Sequence, residues 1–168
     1  GLRLAPTYGV DAEGPFSLRD SSLPATFLEL MDDAGREALG IADEPEPREP
    51  AEIREQYTTA IPIGTALAQS WNPALAESLG DVVGAEMERF GIHLWLAPAF
   101  NLHRSVLCGR NFEYLSEDPL LAGRVAAGIT RGVQKHPGRG VTIKHFAFNN
   151  QETNRLNSCS HVSKRAAR

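Results

Sequence analysis

The feature that most constrains the fold is an alternation of extended and helical patterns that begins near residue 57. Runs typical of strands occur at 58–63, 92–97 and 141–146, and apolar residues recur at helical spacing between them. Short links between such elements imply parallel strands joined by right-handed crossovers. The sequence therefore predicts an α/β fold built from strand–helix–strand units.

Both long helices have recognisable start signals. Asn72 precedes Pro73, and Asp118 precedes Pro119. Asn and Asp are favoured N-caps, and proline suits the first helical position because the N–H that it lacks has no partner there. Gly91 follows the last apolar residue of the first helix and suits the position just after a helix end. We predict helices over 73–90 and 119–134.

Two folds contain this repeating unit, the doubly wound sheet and the (β/α)8 barrel. In both, functional residues gather at the C-terminal ends of the strands. The chain has no glycine fingerprint for dinucleotide phosphates, which counts against the Rossmann version. The loops after 92–97 and 141–146 are rich in polar side chains, whereas the loops that enter strands are plain. The candidates are Asn101, His103, Arg104, Arg110, Asn111, Glu113, Lys144, His145, Asn149, Asn150, Glu152, Asn154 and Arg155.

Charge and hydropathy patterning argue against two classes of partner. The formal net charge is −4, and the acidic excess lies in residues 1–60, which include the Pro- and Glu-rich stretch 42–50. Such a stretch is typical of a solvated excursion. The basic residues that remain are scattered, so we expect no nucleic-acid partner. No apolar run is long enough to cross a bilayer, so we expect no membrane partner.

The cysteines and histidines do not form a recognisable ligand pattern. Cys108 and Cys159 have neither a disulfide-framework spacing nor a metal-ligand spacing, and we expect two free thiols. The five histidines stand at unrelated spacings, so no metal site is predicted. No Ser-His-Asp arrangement or nucleophile elbow is visible either.

Lys144 and His145 follow a β-branched, apolar run that is typical of a buried strand. Lysine is rarely buried without a partner, because burying an unpaired charge is costly. A site lined by carboxylates or hydroxyls would explain a lysine at this place. The neighbouring arginines, asparagines and histidines supply donors that can grip adjacent oxygens of either kind.

Two long motifs resemble those of the family 3 glycoside hydrolases, the β-glucosidase family. The stretch from Leu96 to Pro119, which contains Gly-Arg-Asn-Phe-Glu at 109–113, looks like the signature region of that family. The stretch Lys144-His-Phe-Ala-Phe-Asn-Asn-Gln-Glu-Thr-Asn-Arg155 is similar to its lysine-histidine motif. Residues 60–72 and 1–4 resemble two upstream segments, in the right order.

The resemblance implies a partial (β/α)8 TIM barrel, the N-terminal portion of the family 3 barrel domain. Residues 1–168 are then an incomplete barrel domain, because a full barrel needs about 250 residues. Residues 5–57 match no segment of the family, and we expect them to form a variable acidic, Pro-rich insertion within that domain.

The resemblance also implies a subsite for a terminal, non-reducing sugar. No cofactor and no metal are implied, and the expected ligand is a small saccharide or β-glucoside. The residues themselves leave another interpretation open, in which Arg110 and Arg155 only brace loops by pairing with Glu113 or Glu152. The residues at the matching sugar-binding positions are Arg3, Arg110, Lys144, His145 and Arg155.

Retaining glycosidases need a nucleophilic carboxylate and an acid/base carboxyl about 5–5.5 Å apart. In this family the nucleophile is an aspartate in a downstream Ser-Asp-Trp-like segment, and the acid/base usually comes from a second domain. No position of this chain matches the nucleophile or the acid/base. Glu113, Glu117 and Asp118 match positions that have structural roles in the family. We therefore expect a piece of a retaining, β-glucosidase-like hydrolase that is inactive alone. The alternative function is a non-catalytic carbohydrate-binding module.

One branch of the family is not expected. Enzymes of that branch act on N-acetylglucosamine and carry a Lys-His-Phe-Pro-Gly-His-Gly pattern. Here the residues that follow Phe146 are Ala147-Phe-Asn-Asn150, without the second histidine of that pattern.

Overall fold

The structure is a computed structural model that describes Leu2, residues 7–17 and residues 49–167. These residues divide between two compact units. One unit comprises Leu2 and residues 59–167, and the other lies within residues 3–58. All the predicted site residues except Arg3 lie in the first unit.

The smaller unit contains a three-stranded antiparallel sheet of β1 (Thr7–Asp11), β2 (Gly14–Ser17) and β3 (Glu52–Glu55), in the order β2–β1–β3. A two-residue turn joins β1 to β2, and the Glu13 N–H donates to the Asp11 carboxylate there at 2.8 Å. Such a local bond is the usual way in which aspartate stabilises a turn. These strands lie in the stretch 5–57, and its assignment as a variable insertion stays a prediction.

The larger unit alternates helices with short strands. Two long helices are separated by one strand and a polar loop, and a second strand follows them. The elements are α1 (Gly64–Ala68), α2 (Pro73–Arg89), β4 (Leu94–Trp95), a 3-10 helix (Asn111–Glu113), α3 (Pro119–Gln134), β5 (Gly140–Val141) and α4 (Lys164–Ala167).

The predicted helix starts are confirmed. The Asn72 side chain accepts hydrogen bonds from the first free N–H groups of α2, at 3.1 Å from both Ala74 and Leu75. The Asp118 carboxylate does the same for α3 and accepts from Leu120 at 2.7 Å. These side chains satisfy donors that have no partner within the helix. Gly91 has a φ of 67°, the left-handed conformation that favours glycine just after a helix.

Glycines allow α2 and α3 to pack backbone against backbone. A β carbon on Gly128 would lie 2.7 Å from the Pro73 carbonyl oxygen, and one on Gly132 would lie 2.6 Å from the Asp81 nitrogen. Both distances are shorter than real β carbons tolerate. The helix pair then buries apolar side chains on either side of this contact. The close-contact glycines are Gly80, Gly84, Gly128 and Gly132, and the fully buried side chains include Val83, Met87, Val125 and Val133.

His136, which follows α3, is joined to α2 by hydrogen bonds to two of its carboxylates. Its Nε2 lies 2.8 Å from Asp81 Oδ1 and its Nδ1 lies 3.2 Å from Glu88 Oε2, while Lys135 also faces Asp81 at 3.6 Å. The ring edge occupies the space that a side chain at Gly84 would fill. The hydrogen bond to Asp81, then that to Glu88, raises the pKa of His136 above its ordinary value of 6.5. The imidazolium is therefore the form that stabilises the folded state.

We expect this histidine to make stability depend on pH. A raised folded-state pKa means that the stabilisation is complete below pH 6.5, the unfolded value, and is lost as the pH rises through the folded pKa. The measurement is the unfolding free energy of the wild type and of His136→Gln at several pH values. The difference between the two should shrink with rising pH, and a constant difference would contradict the assignment.

The predicted strands 92–97 and 141–146 pair in parallel, as expected, but are shorter than predicted. Regular pairing covers only Leu94–Trp95 with Gly140–Val141, and an isolated parallel bridge joins Ala99 to Lys144. Between these pairings, residues 96–98 of the first strand stand opposite residues 142–143 of the second. One extra residue on one strand is a β-bulge. Pro98 lies in the extra stretch and cannot donate a ladder hydrogen bond, which explains the interruption. The described residues form no closed barrel.

The predicted strand at 58–63 is wrong, because the structure has no strand there. Pro62 lacks an N–H for a ladder, and Ile63 is the N-cap of α1 with an extended φ and ψ. Among the described residues, no helix is long and apolar enough to cross a membrane.

Candidate functional site

Three of the predicted sugar-binding residues meet at one place. Arg110, Lys144 and His145 are joined to each other directly or through Glu113 of the 3-10 helix. Arg155 connects to them indirectly, through Glu152, Asn149 and Tyr114. Arg3 lies outside the described residues.

Contacts with α1 hold the 3-10 helix in place. The Thr65 hydroxyl donates to the Tyr114 carbonyl at 2.8 Å and lies 3.1 Å from the Asn111 carbonyl. Gly64 stands so close to the Glu113 carbonyl that no β carbon would fit. This contact holds the backbone of Glu113 against α1 and so sets the position of its carboxylate.

Glu113 binds two of the cations. Its carboxylate forms a close ion pair with Arg110 Nε, and its second oxygen lies 3.5 Å from Lys144 Nζ. Burial raises the pKa of Glu113, but the Arg110 hydrogen bond and the Lys144 charge outweigh it, so the net pKa is lowered. Glu113 is therefore ionised at neutral pH and balances one of two adjacent positive charges. A carboxylate in this state is unsuited to act as a general acid.

His145 is held at its backbone and at both ring nitrogens. Its N–H donates to Asn101 Oδ1 at 2.6 Å, and Asn101 is buried. Nε2 lies 2.8 Å from Arg110 Nη1, and Nδ1 lies 3.2 Å from the Tyr114 hydroxyl. Burial, then the Arg110 and Lys144 charges, lowers the pKa of His145. The ring is therefore neutral at pH 7.

Arg155 lies at the more exposed end of the same network. Its Nη1 pairs with Glu152 Oε2 at 3.2 Å, and the other Glu152 oxygen accepts from Asn149 Nδ2 at 3.1 Å. Asn149 Nδ2 in turn donates to the Tyr114 hydroxyl at 2.8 Å. The side chain of Arg155 is 55% exposed, so it is accessible from solvent.

A cavity of about 570 Å³ lies beside Arg155. It is lined mainly by residues 147–151 and 158–162, together with Arg104 and Ser105. Arg110, Lys144 and His145 do not line it. The candidate site is therefore the charged cluster around Glu113. The cavity is a separate feature, and Arg155 is the predicted site residue that lines it.

Several other polar candidates hold loops in place. His103 Nε2 lies 2.9 Å from the Asn111 carbonyl, Asn111 Nδ2 donates to the Ser105 carbonyl at 2.7 Å, and Asn150 Nδ2 donates to the Leu102 carbonyl at 3.0 Å. These bonds satisfy backbone groups of a long loop that has little regular structure. They shape the loop that carries Arg110 and Glu113.

Tyr114 is the site residue that sequence reasoning missed. It is fully buried, yet its hydroxyl has partners on both His145 and Asn149. A tyrosine in the middle of a polar loop, next to Glu113, was the available signal, since a buried phenol needs a hydrogen-bond partner.

The cluster offers a concentration of donors. Lysine and arginine carry only donor groups, and here they share a single carboxylate. Such a site suits neighbouring oxygens on one ligand, such as vicinal hydroxyls. Within the described ranges, no group of three or more His, Cys, Asp or Glu side chains could hold a metal ion.

Residues 50–162 match the family described as the glycosyl hydrolase family 3 N terminal domain. The chain is 50% identical to β-glucosidase A of Butyrivibrio fibrisolvens over 111 residues, which are 66% of this chain and 13% of that protein. An exo-α-(1→6)-L-arabinopyranosidase of Bifidobacterium longum is 46% identical over 110 residues, 66% of this chain and 14% of that protein. The chain thus spans less than a sixth of the length of these relatives.

A solved structure agrees with the sequence relatives. β-Glucosidase 3B of Thermotoga neapolitana, in complex with α-D-glucose, is 51% identical with a TM-score of 0.60, and the match covers 64% of this chain and 15% of that one. The fold is thus the TIM-barrel type α/β fold of such domains, as predicted. The matched stretch covers well over half of the chain, which belongs to glycosyl hydrolase family 3.

Proposed function

We propose that the full-length protein is a β-glucosidase-like enzyme that removes a terminal, non-reducing β-linked sugar by a retaining mechanism. The observation that carries this proposal is the pairing of Arg110 and Lys144 on one carboxylate, with His145 against Arg110. Relatives named as β-glucosidases, one of them solved with glucose, support the same substrate class.

The ion pairs leave donors for a ligand. Arg110 uses Nε for Glu113 and Nη1 for His145, and its Nη2 bonds to no described residue. Lys144 has three ammonium protons, and its contact with Glu113 occupies at most part of them. Hydrogen bonds from such groups to sugar hydroxyls strengthen in the transition state of glycosidases. We therefore assign Arg110, Lys144, His145 and Arg155 to the sugar subsite, and Arg3 by resemblance alone.

We further propose that the nucleophile and the acid/base lie outside residues 1–168. The carboxylates in and near the candidate site are already engaged in other contacts. Glu113 is bound to two cations, Asp118 caps α3, and Glu152 binds Arg155 and Asn149. A retaining mechanism needs two carboxyl groups free to meet the anomeric carbon and the leaving oxygen.

The test is hydrolysis of chromogenic aryl glycosides by the full-length protein and by residues 1–168 alone. The panel contains a β-glucoside, a β-xyloside and, because of the Bifidobacterium relative, an α-L-arabinopyranoside. We expect turnover of the β-glucoside with net retention by the full-length protein, and none by the 168-residue chain. Glucose binding without turnover by the full-length protein would instead support a non-catalytic binding module. Turnover that tracks with the short chain would overturn the assignment of the carboxylates.

A further inference from the structure

The hydrogen bonds around His145 determine which of its nitrogens carries the proton. A guanidinium can only donate, so Arg110 Nη1 at 2.8 Å requires a lone pair on His145 Nε2. A neutral ring with a lone pair on Nε2 has its proton on Nδ1. The Nδ1–H must then donate to the Tyr114 oxygen, which lies 3.2 Å away. The tautomer thus follows from the donor-only character of arginine.

The hydroxyl of Tyr114 is oriented by a second residue. Asn149 Nδ2 donates to this oxygen at 2.8 Å, and the Tyr114 O–H donates to the backbone carbonyl of Asn149 at 3.3 Å. The phenol proton therefore points at a carbonyl, and the lone pairs are left for Asn149 and His145. This arrangement makes the tyrosine oxygen an acceptor toward the histidine.

Tyr114 is also rigidly placed. It is fully buried, in a cluster with Ala99 and Cys108. Its N–H donates to the Asn111 carbonyl at 3.1 Å, and its carbonyl accepts from the Thr65 hydroxyl at 2.8 Å. A buried ring held at both backbone groups can serve as a fixed reference for a more exposed partner.

We propose that Tyr114 is a positioning residue that holds His145 in the Nδ1–H tautomer and thereby aims the guanidinium of Arg110 into the sugar subsite. Because Tyr114 is fully buried, we assign it no contact with the sugar. The subsite part of this inference rests on the function proposed above, whereas the tautomer follows from the geometry alone.

Removing the Tyr114 hydroxyl would change the hydrogen bonds of His145. Without the tyrosine oxygen, Nδ1–H loses its partner, and only the contact with Arg110 still disfavours the Nε2–H tautomer. That tautomer, like the imidazolium, places a donor of His145 against a donor of Arg110. Arg110 would then keep only its pair with Glu113, and its Nη groups would no longer be held in one direction. The lowered pKa of His145 supports the neutral form at pH 7.

The first test is the tautomer of the wild-type protein. The full-length protein is labelled with 15N-histidine, and His145 is assigned by the signal that disappears in His145→Gln. We expect a protonated Nδ1 and an unprotonated Nε2 at neutral pH. A protonated Nε2 would overturn the inference, and this measurement needs no variant at position 114.

The second test is Tyr114→Phe, which keeps the ring and removes only the hydroxyl. We expect part or all of His145 to change to the Nε2–H tautomer, and the inhibition constant of glucose to rise about three- to tenfold, the scale of one net hydrogen bond. Tyr57→Phe is the matched control, because Tyr57 is 76% exposed and bonds to Glu55. That variant should change neither quantity.

The outcomes separate the two proposals. An unchanged tautomer in Tyr114→Phe, or a changed tautomer with unchanged glucose inhibition, overturns the positioning role. If Lys144→Ala leaves glucose inhibition unchanged, the proposed subsite fails instead, whatever the histidine spectrum shows. A changed tautomer together with weaker glucose inhibition supports Tyr114 as the positioning residue.

Discussion

Replacing Lys144 with alanine in the full-length protein is expected to lower kcat/KM for an aryl β-glucoside by about 30- to 150-fold. This range corresponds to about 2–3 kcal/mol, the scale of a hydrogen bond from a charged group that strengthens in the transition state. Folding should be little affected, because Glu113 keeps its close ion pair with Arg110 when the ammonium is removed. The measurements are steady-state kinetics and the thermal unfolding midpoint.

Lys135→Ala is the matched control for this prediction. Lys135 is another of the three lysines of the chain, and it too pairs with carboxylates, at 3.1 Å from Glu77 and 3.6 Å from Asp81. Its loss removes the same charge from the surface of the α2–α3 pair, where ion pairs contribute little. Wild-type kinetics in Lys144→Ala, or an equal loss of activity in Lys135→Ala, would contradict a sugar-binding role for Lys144. His145→Ala should reduce kcat/KM by a similar factor.

The helix starts can be predicted from the sequence because their signals act locally. Asn72 and Asp118 cap their helices because a side-chain oxygen next to a free N–H needs no information from the rest of the chain. The parallel pairing of β4 and β5 follows from the crossover rule, and it is present. The prediction of a strand at 58–63 is wrong, because a sequence with β propensity forms a strand only when another strand pairs with it. Its proline also removes one ladder donor.

The sequence predicts the charged residues of the candidate site but not all the contacts between them. The sequence indicates Arg110, Lys144 and His145, because positive and polar residues at strand ends need partners. It also left open whether Arg110 and Arg155 only brace loops through Glu113 and Glu152. Both ion pairs are present in the structure.

These pairs do not decide against sugar binding, because a guanidinium has five N–H groups and one carboxylate cannot occupy them all. The role of Tyr114 was invisible because it depends on how the loop folds back onto His145. Asn101 is one of many polar residues that follow the first strand, and its bond to the His145 backbone depends on the pairing of two chain segments. Sequence spacing contains no such information.

The largest effect on stability is expected from Gly132→Ala. Gly132 lies in α3, where α2 crosses it so closely that a β carbon would stand 2.6 Å from the Asp81 nitrogen and closer still to the Glu77 carbonyl oxygen. Both obstacles are backbone atoms, so no side-chain rotation can relieve the clash. Forcing a methyl group into such a contact costs about 3 kcal/mol, the upper end of the range for overpacking. The helices would have to separate, and the apolar side chains between them would lose contact.

Gly123→Ala makes the same chemical change in the same helix and should have the opposite effect. A β carbon there would meet no atom within 4 Å, and the position is exposed. Alanine is favoured over glycine in a helix by about 1 kcal/mol, because glycine loses more backbone entropy on folding. Denaturant unfolding of the full-length protein, followed by helical circular dichroism, measures both variants against the wild type. Equal shifts in the two variants would mean that helix propensity, rather than the close α2–α3 contact, sets the effect of Gly132.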